Sequence, residues 1–264
     1  MVILIVLALL FLLAVKGRRG HKDLPLLRGW FYAHRGLHGK GVPENSMAAF
    51  HRAKDAGYGI ELDVHLMKDG QLAVTHDSSL ARCAGADVRI EDLTAQELGQ
   101  YRLEGTEETI PLFSQVLDLI RGAVPLIVEL KSDKANYAAL CEAVCKLLDT
   151  YDGVYCVESF DPRCVFWLRK HRKDIVRGQL VKNYFHDDSA LPALLKFALR
   201  HQLFNVFTNP DFVAYRFCDR KTVSNFLCRK IWGVQGVTWT LQNQEDFALA
   251  CKENWIPIFE NFNP

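Results

Sequence analysis

Short apolar runs of four to seven residues recur along the chain with amphipathic stretches between them, the pattern of buried strands alternating with surface helices. Eight runs read as strands: 31–34 (FYAH), 59–64 (GIELDV), 125–131 (PLIVELK), 154–160 (VYCVESF), 175–180 (IVRGQL), 204–209 (FNVFTN), 234–240 (VQGVTWT) and 255–261 (WIPIFEN). The intervening stretches carry helical periodicity, as in 46–57 (SMAAFHRAKDAG), where Gly57 stands as a C-terminal cap, and in 136–150 (NYAALCEAVCKLLDT). Strand and helix in alternation predict a parallel sheet. Eight such units in roughly 240 residues fit a (β/α)8 TIM barrel over residues 29–264, with an open doubly wound sheet as the alternative.

Two segments interrupt the rhythm. The second and third strands are separated by an insertion holding HLMKDGQLAVTHD, with a hairpin turn at Asp69-Gly70, and a capping box from Thr94 to Glu97. In a barrel, a loop that follows a strand lies over the active face or beside it. At the other interruption, residues 1–15 contain no polar side chain and are followed by Lys16, Arg18, Arg19 and Lys22. Residues 1–19 are therefore expected to form a single-pass membrane anchor with a basic flank. As a helix the run reaches roughly 22 Å, and snorkelling cations would close part of the gap to a full span. The cations after the run place the globular part on the cytoplasmic side; an export signal is the alternative. The segment 21–29 is expected to cover the outside of the barrel where an eighth outer helix would lie.

Composition narrows the partners. The 264 residues include 32 basic and 31 acidic side chains, a formal charge of +1, which gives no electrostatic footprint for nucleic acid. Eight cysteines in a chain with an ample core read as free thiols, mostly buried, and none has zinc-finger spacing with partnering histidines.

In a barrel the C-terminal ends of the strands converge on one mouth, and here they are polar. Strand one supplies His34 and Arg35, strand two Glu61 and Asp63, strand three Glu129 and Lys131, strand four Glu158, strand five Gln179, strand seven Trp239 and strand eight Glu260. Residues two apart on a strand share a face, so Glu61 and Asp63 project together and Glu129 joins them from the next strand. Three carboxylates gathered in one place call for a cation. Hard oxygen ligands without cysteine or paired histidine favour a divalent metal, Mg²⁺ or Ca²⁺, over zinc. The hairpin of the insertion brings His76 back over the mouth towards His34, and two imidazoles suit stepwise acid–base catalysis. Of the other histidines, only His38, in the loop beside the mouth, is kept as a further candidate. Arg35 and Lys131 beside the metal suit a phosphate group, and Glu158, Gln179 and Trp239 would line the substrate pocket. No Walker-type or dinucleotide glycine motif occurs, which argues against nucleotide-dependent transfer.

The ordered series AHRG, PENS, IELDVHLMKDGQLAVTHD, Arg82, IPLFSQVL, LIVELK, SFD and TWT resembles the glycerophosphodiester phosphodiesterase family, from about Phe31 to Phe160 and more thinly beyond. The resemblance implies a (β/α)8 barrel with a small insertion after strand two, and metal-dependent hydrolysis of glycerophosphodiesters to sn-glycerol 3-phosphate and an alcohol. It assigns His34 and His76 as the acid–base pair, Glu61, Asp63 and Glu129 as metal ligands, and Arg35 with Lys131 as phosphate holders. Two departures stand out: PENS replaces the familiar PENT, and the last strand ends in FENFNP. A lysophospholipase D cutting the same bond in a membrane lysophospholipid is the nearest alternative, and a non-catalytic phosphate-headgroup binder a more distant one.

Overall fold

The computed structural model describes residues 1–133, 135–186 and 190–264. An apolar helix, α1 (Val2–Ala14), precedes β1 (Tyr32–Ala33), α2 (Met47–Asp55) and β2 (Gly59–Leu66). The insertion then contributes β3 (Leu72–Val74), the single helical turn α3 (Ala81–Ala84) and several 3₁₀ turns, and ends at α4 (Phe113–Ile120). From there strand and helix alternate: β4 (Leu126–Leu130), α5 (Tyr137–Leu148), β5 (Tyr155–Ser159), α6 (Pro162–His171), β6 (Arg177–Val181), α7 (Ala193–Arg200) with α8 (Asn205–Thr208), β7 (Phe212–Arg216), α9 (Val223–Phe226), β8 (Gln235–Leu241), α10 (Gln244–Lys252) and β9 (Trp255–Phe259).

Eight of these strands are parallel and close into a barrel, because β1 pairs with both β2 and β9. Closure rules out the open sheet. The ninth, β3, runs antiparallel to β2 as the second arm of the hairpin turned at Asp69-Gly70, and the capping box of Thr94 and Glu97 forms as expected. Side chains alternate along each strand. Tyr32, Ile127, Cys156, Leu180, Phe212, Ala214, Val237, Ile256 and Ile258 fill the barrel. Ile60, Leu62, Val64, Val128, Val157, Val181 and Val213 pack outward with Phe50, Phe113, Leu140 and Leu168 of the helices. Two of the outer helices start on side-chain caps: Ser46 accepts from the Ala49 N–H at α2, and Asp161 accepts from the Arg163 N–H, with Pro162 at the first turn of α6.

Two expectations are corrected. The run 204–209 is not a strand: Asn205–Thr208 is a helical turn stopped by Asn209 in the left-handed region (φ 42°) ahead of Pro210, and the strand falls on the next run, Phe212–Arg216. The buried Asn205 amide donates to both Gln202 and the Val15 carbonyl, the latter a tertiary partner that no local pattern announces. Second, residues 21–29 do not cover the outside of the barrel. Leu24 and Leu27 enter the interior cluster, and the Tyr32 hydroxyl inside the barrel donates to the Leu27 carbonyl, so this segment floors the barrel.

The expected single-pass span is not shown by α1. Its 13 residues rise roughly 20 Å, and among the described residues no helix is long and apolar enough to cross a membrane. Part of the basic flank is engaged by the barrel, while Lys16, Arg19 and Lys22 stay exposed. Lys16 lies 5.0 Å over the Trp232 ring, the Arg18 guanidinium pairs with Asp211 and donates to the Lys173 carbonyl, and Trp232 Nε1 donates to the Leu12 carbonyl. These contacts lash the end of α1 to the barrel while the side chains from Val2 to Leu10 stay exposed. Six of the eight cysteines are buried and all are free.

The floor gives a stability test. Leu27 is buried among barrel side chains, so Leu27→Ala leaves a cavity that the surrounding strands cannot collapse to fill. We expect it to lower unfolding free energy by about 2–5 kcal/mol in denaturant titration. A loss below about 1 kcal/mol would mean that the segment merely rests on the barrel.

Candidate active site

The mouth is built by register. Asp63 of β2 pairs with Glu129 of β4, which pairs with Glu158 of β5, so three carboxylates stand abreast on the inner face, with Glu61 one step below Asp63. Ligand atoms of Glu61, Asp63 and Glu129 all lie within 4.8 Å of one another, and the three residues are buried. Lys131 Nζ sits 3.0 Å from Asp63 Oδ1 and 2.8 Å from Glu129 Oε1. The Arg35 guanidinium approaches Asp63 at 3.4 Å and donates to both oxygens of Glu44 at 3.0 Å. Arg35 thus reaches the mouth with much of its charge already shared.

Four inward carboxylates against two cations leave the site short of positive charge, and the titration behaviour follows. Burial, reinforced by Asp63, Glu129 and Glu158, pushes the Glu61 carboxyl well up. Burial lifts Glu129 to about 7 against the pull of Lys131, and raises Glu158 strongly with help from Glu129. Asp63 goes the other way: burial alone would raise it, but Lys131, His76 and Arg35, with a 2.9 Å hydrogen bond donated by the Asn45 amide, hold it below the usual range. Glu158 Oε2 is buried without a hydrogen-bond partner. Clustered hard oxygens, partly protonated for want of charge, fit a divalent cation. The residues present could hold one.

Each imidazole is oriented by a carboxylate. His34 Nδ1 lies 2.6 Å from Glu260 Oε2, whose other oxygen accepts from Gln242 Nε2 at 2.6 Å, and His34 Nε2 is 3.9 Å from Glu61 Oε2. His76 Nδ1 lies 2.6 Å from Asp77 Oδ1. Arg82 donates to both Asp77 and Glu44, so one arginine braces the carboxylate behind His76 and the carboxylate on Arg35. An Nδ1–H given to a carboxylate fixes the tautomer that presents Nε2 as a proton acceptor. Both rings are held neutral. Burial lowers His34 in spite of Glu260, and burial with the charges of Lys131 and Arg35 lowers His76 to about 4 in spite of Asp63.

Gly36 turns the chain at the end of β1, with φ +77°, and a Cβ there would sit 2.8 Å from the Ala49 backbone. Its smallness serves the packing of the loop on α2 rather than clearance in the mouth.

Of the expected pocket residues, Glu158 and Trp239 face inward; the Trp239 ring stacks edge-on against Phe160 at 5.5 Å and its Nε1 donates to the Ala214 carbonyl. Gln179 does not. Gly178, whose Cβ would lie 2.1 Å from the Phe212 ring, and Leu180 occupy the inner positions of β6, so Gln179 points to the helix side and donates to the carbonyls of Ser159 and Phe160. One extra residue of register in the expected strand separates the two faces. Glu260, whose role the divergent FENFNP ending left open, does reach the mouth. Glu44 and Asn45 were legible only as part of a quoted motif, because their roles depend on a loop crossing over β2.

Comparisons with known proteins bear on the fold and the family. The chain superposes on a solved Oleispira antarctica phosphodiesterase, bound to the product sn-glycerol-3-phosphate, with TM-score 0.71 and 23% identity over 88% of this chain and 92% of that one. The chain is a (β/α)8 barrel whose acidic, imidazole-bearing mouth at the C-terminal ends of the strands could hold a cation. Residues 34–262 match the family model described as the glycerophosphoryl diester phosphodiesterase family, and the chain belongs to that family. Among curated relatives, a glycerophosphodiester phosphodiesterase of Bacillus altitudinis is 40% identical over 122 residues, 43% of this chain and 49% of that protein. The human lysophospholipase D GDPD1 is 34% identical over 133 residues, 46% of this chain and 41% of its own length. The match spans about half the length of these relatives or less.

The raised carboxyls give a linkage test. A carboxyl with a raised pKa in the folded state binds more protons there than when unfolded, so stability falls as pH rises from its ordinary value of 4.5 towards about 7. A cation takes the place of those protons and binds more tightly as they leave. The gain in Tm on adding millimolar Mg²⁺ or Ca²⁺ should therefore be larger at pH 7.5 than at pH 5. An equal gain at both would place the ion elsewhere.

Proposed function

We propose that this chain hydrolyses glycerophosphodiesters to sn-glycerol 3-phosphate and an alcohol, with Mg²⁺ or Ca²⁺ held by Glu61, Asp63 and Glu129. The observation that carries this reading is the pair of carboxylate-oriented rings, His34 on Glu260 and His76 on Asp77, beside that acidic cluster. When bound, the cation supplies Lewis-acid polarisation of a phosphoryl oxygen. Arg35 and Lys131 hold the non-bridging oxygens of the diester. One ring takes the proton of the attacking hydroxyl, from water or from the glycerol's own 2-hydroxyl, and the other delivers a proton to the departing alkoxide as the P–O bond breaks. A bound phosphodiester anion offsets the Lys131 and Arg35 charges that help hold His76 down, so substrate binding favours a proton on that ring.

A second reading, hydrolysis of the same bond in a lysophospholipid, is favoured by the exposed apolar α1. We place the catalytic unit in residues 29–264 and a membrane anchor in residues 1–19, with α1 seated in the lipid and the barrel on the cytoplasmic side, next to Lys16, Arg18, Arg19 and Lys22.

Incubating the protein with glycerophosphocholine and lysophosphatidylcholine in parallel, with and without a chelator, separates the readings. His34→Ala and His76→Ala should each stay folded and lose at least ~100-fold in turnover. Near wild-type turnover in either would overturn the acid–base assignment, and indifference to the chelator would remove the metal. Absence of product from both substrates would leave a phosphate-binding protein. For the anchor, a fluorescent or alkaline phosphatase fusion after Pro264 should fluoresce in the membrane fraction without phosphatase activity. Active phosphatase would mean export.

A further inference from the structure

The mouth contains a second set of metal-binding atoms, chemically unlike the first. One ligand atom from each of His34, His38 and Glu260 lies within 4.8 Å of the other two. His38 Nε2 is 3.6 Å from the same Glu260 oxygen that takes His34, just beyond hydrogen-bond distance, and that buried nitrogen meets no nearer hydrogen-bond partner among the described residues. Two rings therefore converge on one carboxylate oxygen, His34 at hydrogen-bond distance and His38 about an ångström further out.

The ring of His38 is also held in place. Leu37 donates its N–H to the Ala49 carbonyl, and Gly39 and Val42 exchange both backbone hydrogen bonds, so the residues on either side of His38 are fixed. Glu260 is braced by Gln242 from the opposite side. An open cleft of about 720 Å³, lined by His38, Lys40, Asp55, Glu260 and Asn261, gives an ion a route in from solvent.

We propose that His34, His38 and Glu260 form an inhibitory site for a zinc-like divalent ion, separate from the carboxylate site. Two imidazoles and one carboxylate are the donors of a borderline ion such as Zn²⁺, whereas three carboxylates suit Mg²⁺ or Ca²⁺. A tetrahedral ion with bonds of roughly 2.0–2.1 Å keeps its ligand atoms roughly 3.4 Å apart, close to the 3.6 Å already found for His38 and Glu260. The contact between His34 and Glu260, at 2.6 Å, has to open by less than an ångström-scale side-chain shift of roughly that difference. The proton of the neutral His34 ring then moves from Nδ1 to Nε2. A ring protonated at Nε2 and metallated at Nδ1 cannot accept a proton, so occupancy removes His34 from the acid–base pair.

Zn²⁺ titrated calorimetrically into the full chain in excess Mg²⁺ tests the site directly. We expect one Zn²⁺ per chain bound at least ~10-fold more weakly by His38→Gln than by wild type, with unchanged circular dichroism. Comparing the two proteins cancels any binding by the exposed Cys218 and Cys251. Equal Zn²⁺ binding by both, or none by wild type, overturns the proposal. The inhibitory part rests on the proposed hydrolysis: Zn²⁺ should inhibit wild type, and His38→Gln should need at least ~10-fold more for the same inhibition. Inhibition at the same Zn²⁺ concentration in both would overturn that part. If neither protein hydrolyses the diester, the functional reading fails, and the calorimetric comparison still decides the site.

Discussion

Like charges buried side by side dominate this molecule. Glu61, Asp63, Glu129 and Glu158 project into a largely apolar barrel, and among the described residues Lys131 and Arg35 pair with them. Carboxylates in such a setting either bind protons or gather cations. Both responses are present: the Glu61, Glu129 and Glu158 carboxyls rise while Asp63, nearest the two side-chain cations and the Asn45 amide, stays ionised. The low dielectric that makes the cluster costly without a cation is what makes it selective for one.

The surrounding elements manage that charge. Glu44 takes up Arg35, Arg82 takes up Glu44 and Asp77, and Asp77 orients His76, so the loop after β1 and the insertion after β2 are tied by one chain of ionic hydrogen bonds. Glu260 at the end of β9 does the same for His34 and brings His38 with it. The rings of His34 and His76 therefore take their orientation from carboxylates on separate elements, and a shift of either loop would reach them through a hydrogen bond.

The opposite end of the barrel has a different task. Leu24 and Leu27 seal its floor, and the contacts of Lys16, Arg18 and Trp232 bind the base of α1 beside it. Cations that a hydropathy plot assigns to a membrane flank are here used within the protein. That leaves α1 rigidly rooted, with its apolar side chains uncovered and too few residues for a full span.

Periodicity alone determined most of the architecture. Seven of the eight barrel strands, the hairpin insertion and the caps at Ser46 and Asp161 are local consequences of which residues alternate and which can accept a helix N–H. The pairing of Glu61 with Asp63 on one face was equally legible, since a strand has a period of two. Local pattern failed where a distant partner decided the outcome. The run at Asn205 is a helical turn whose buried amide donates to both Gln202 and Val15; Gln179 faces outward because the register of β6 puts Gly178 and Leu180 inside; and Glu44, Asn45 and His38 meet the mouth only because their loop folds over β2 and β9. Sequence spacing fixes which face of an element a side chain shares with its neighbours, but which faces meet is settled only when the barrel closes, because closure sets the register between strands far apart in the chain.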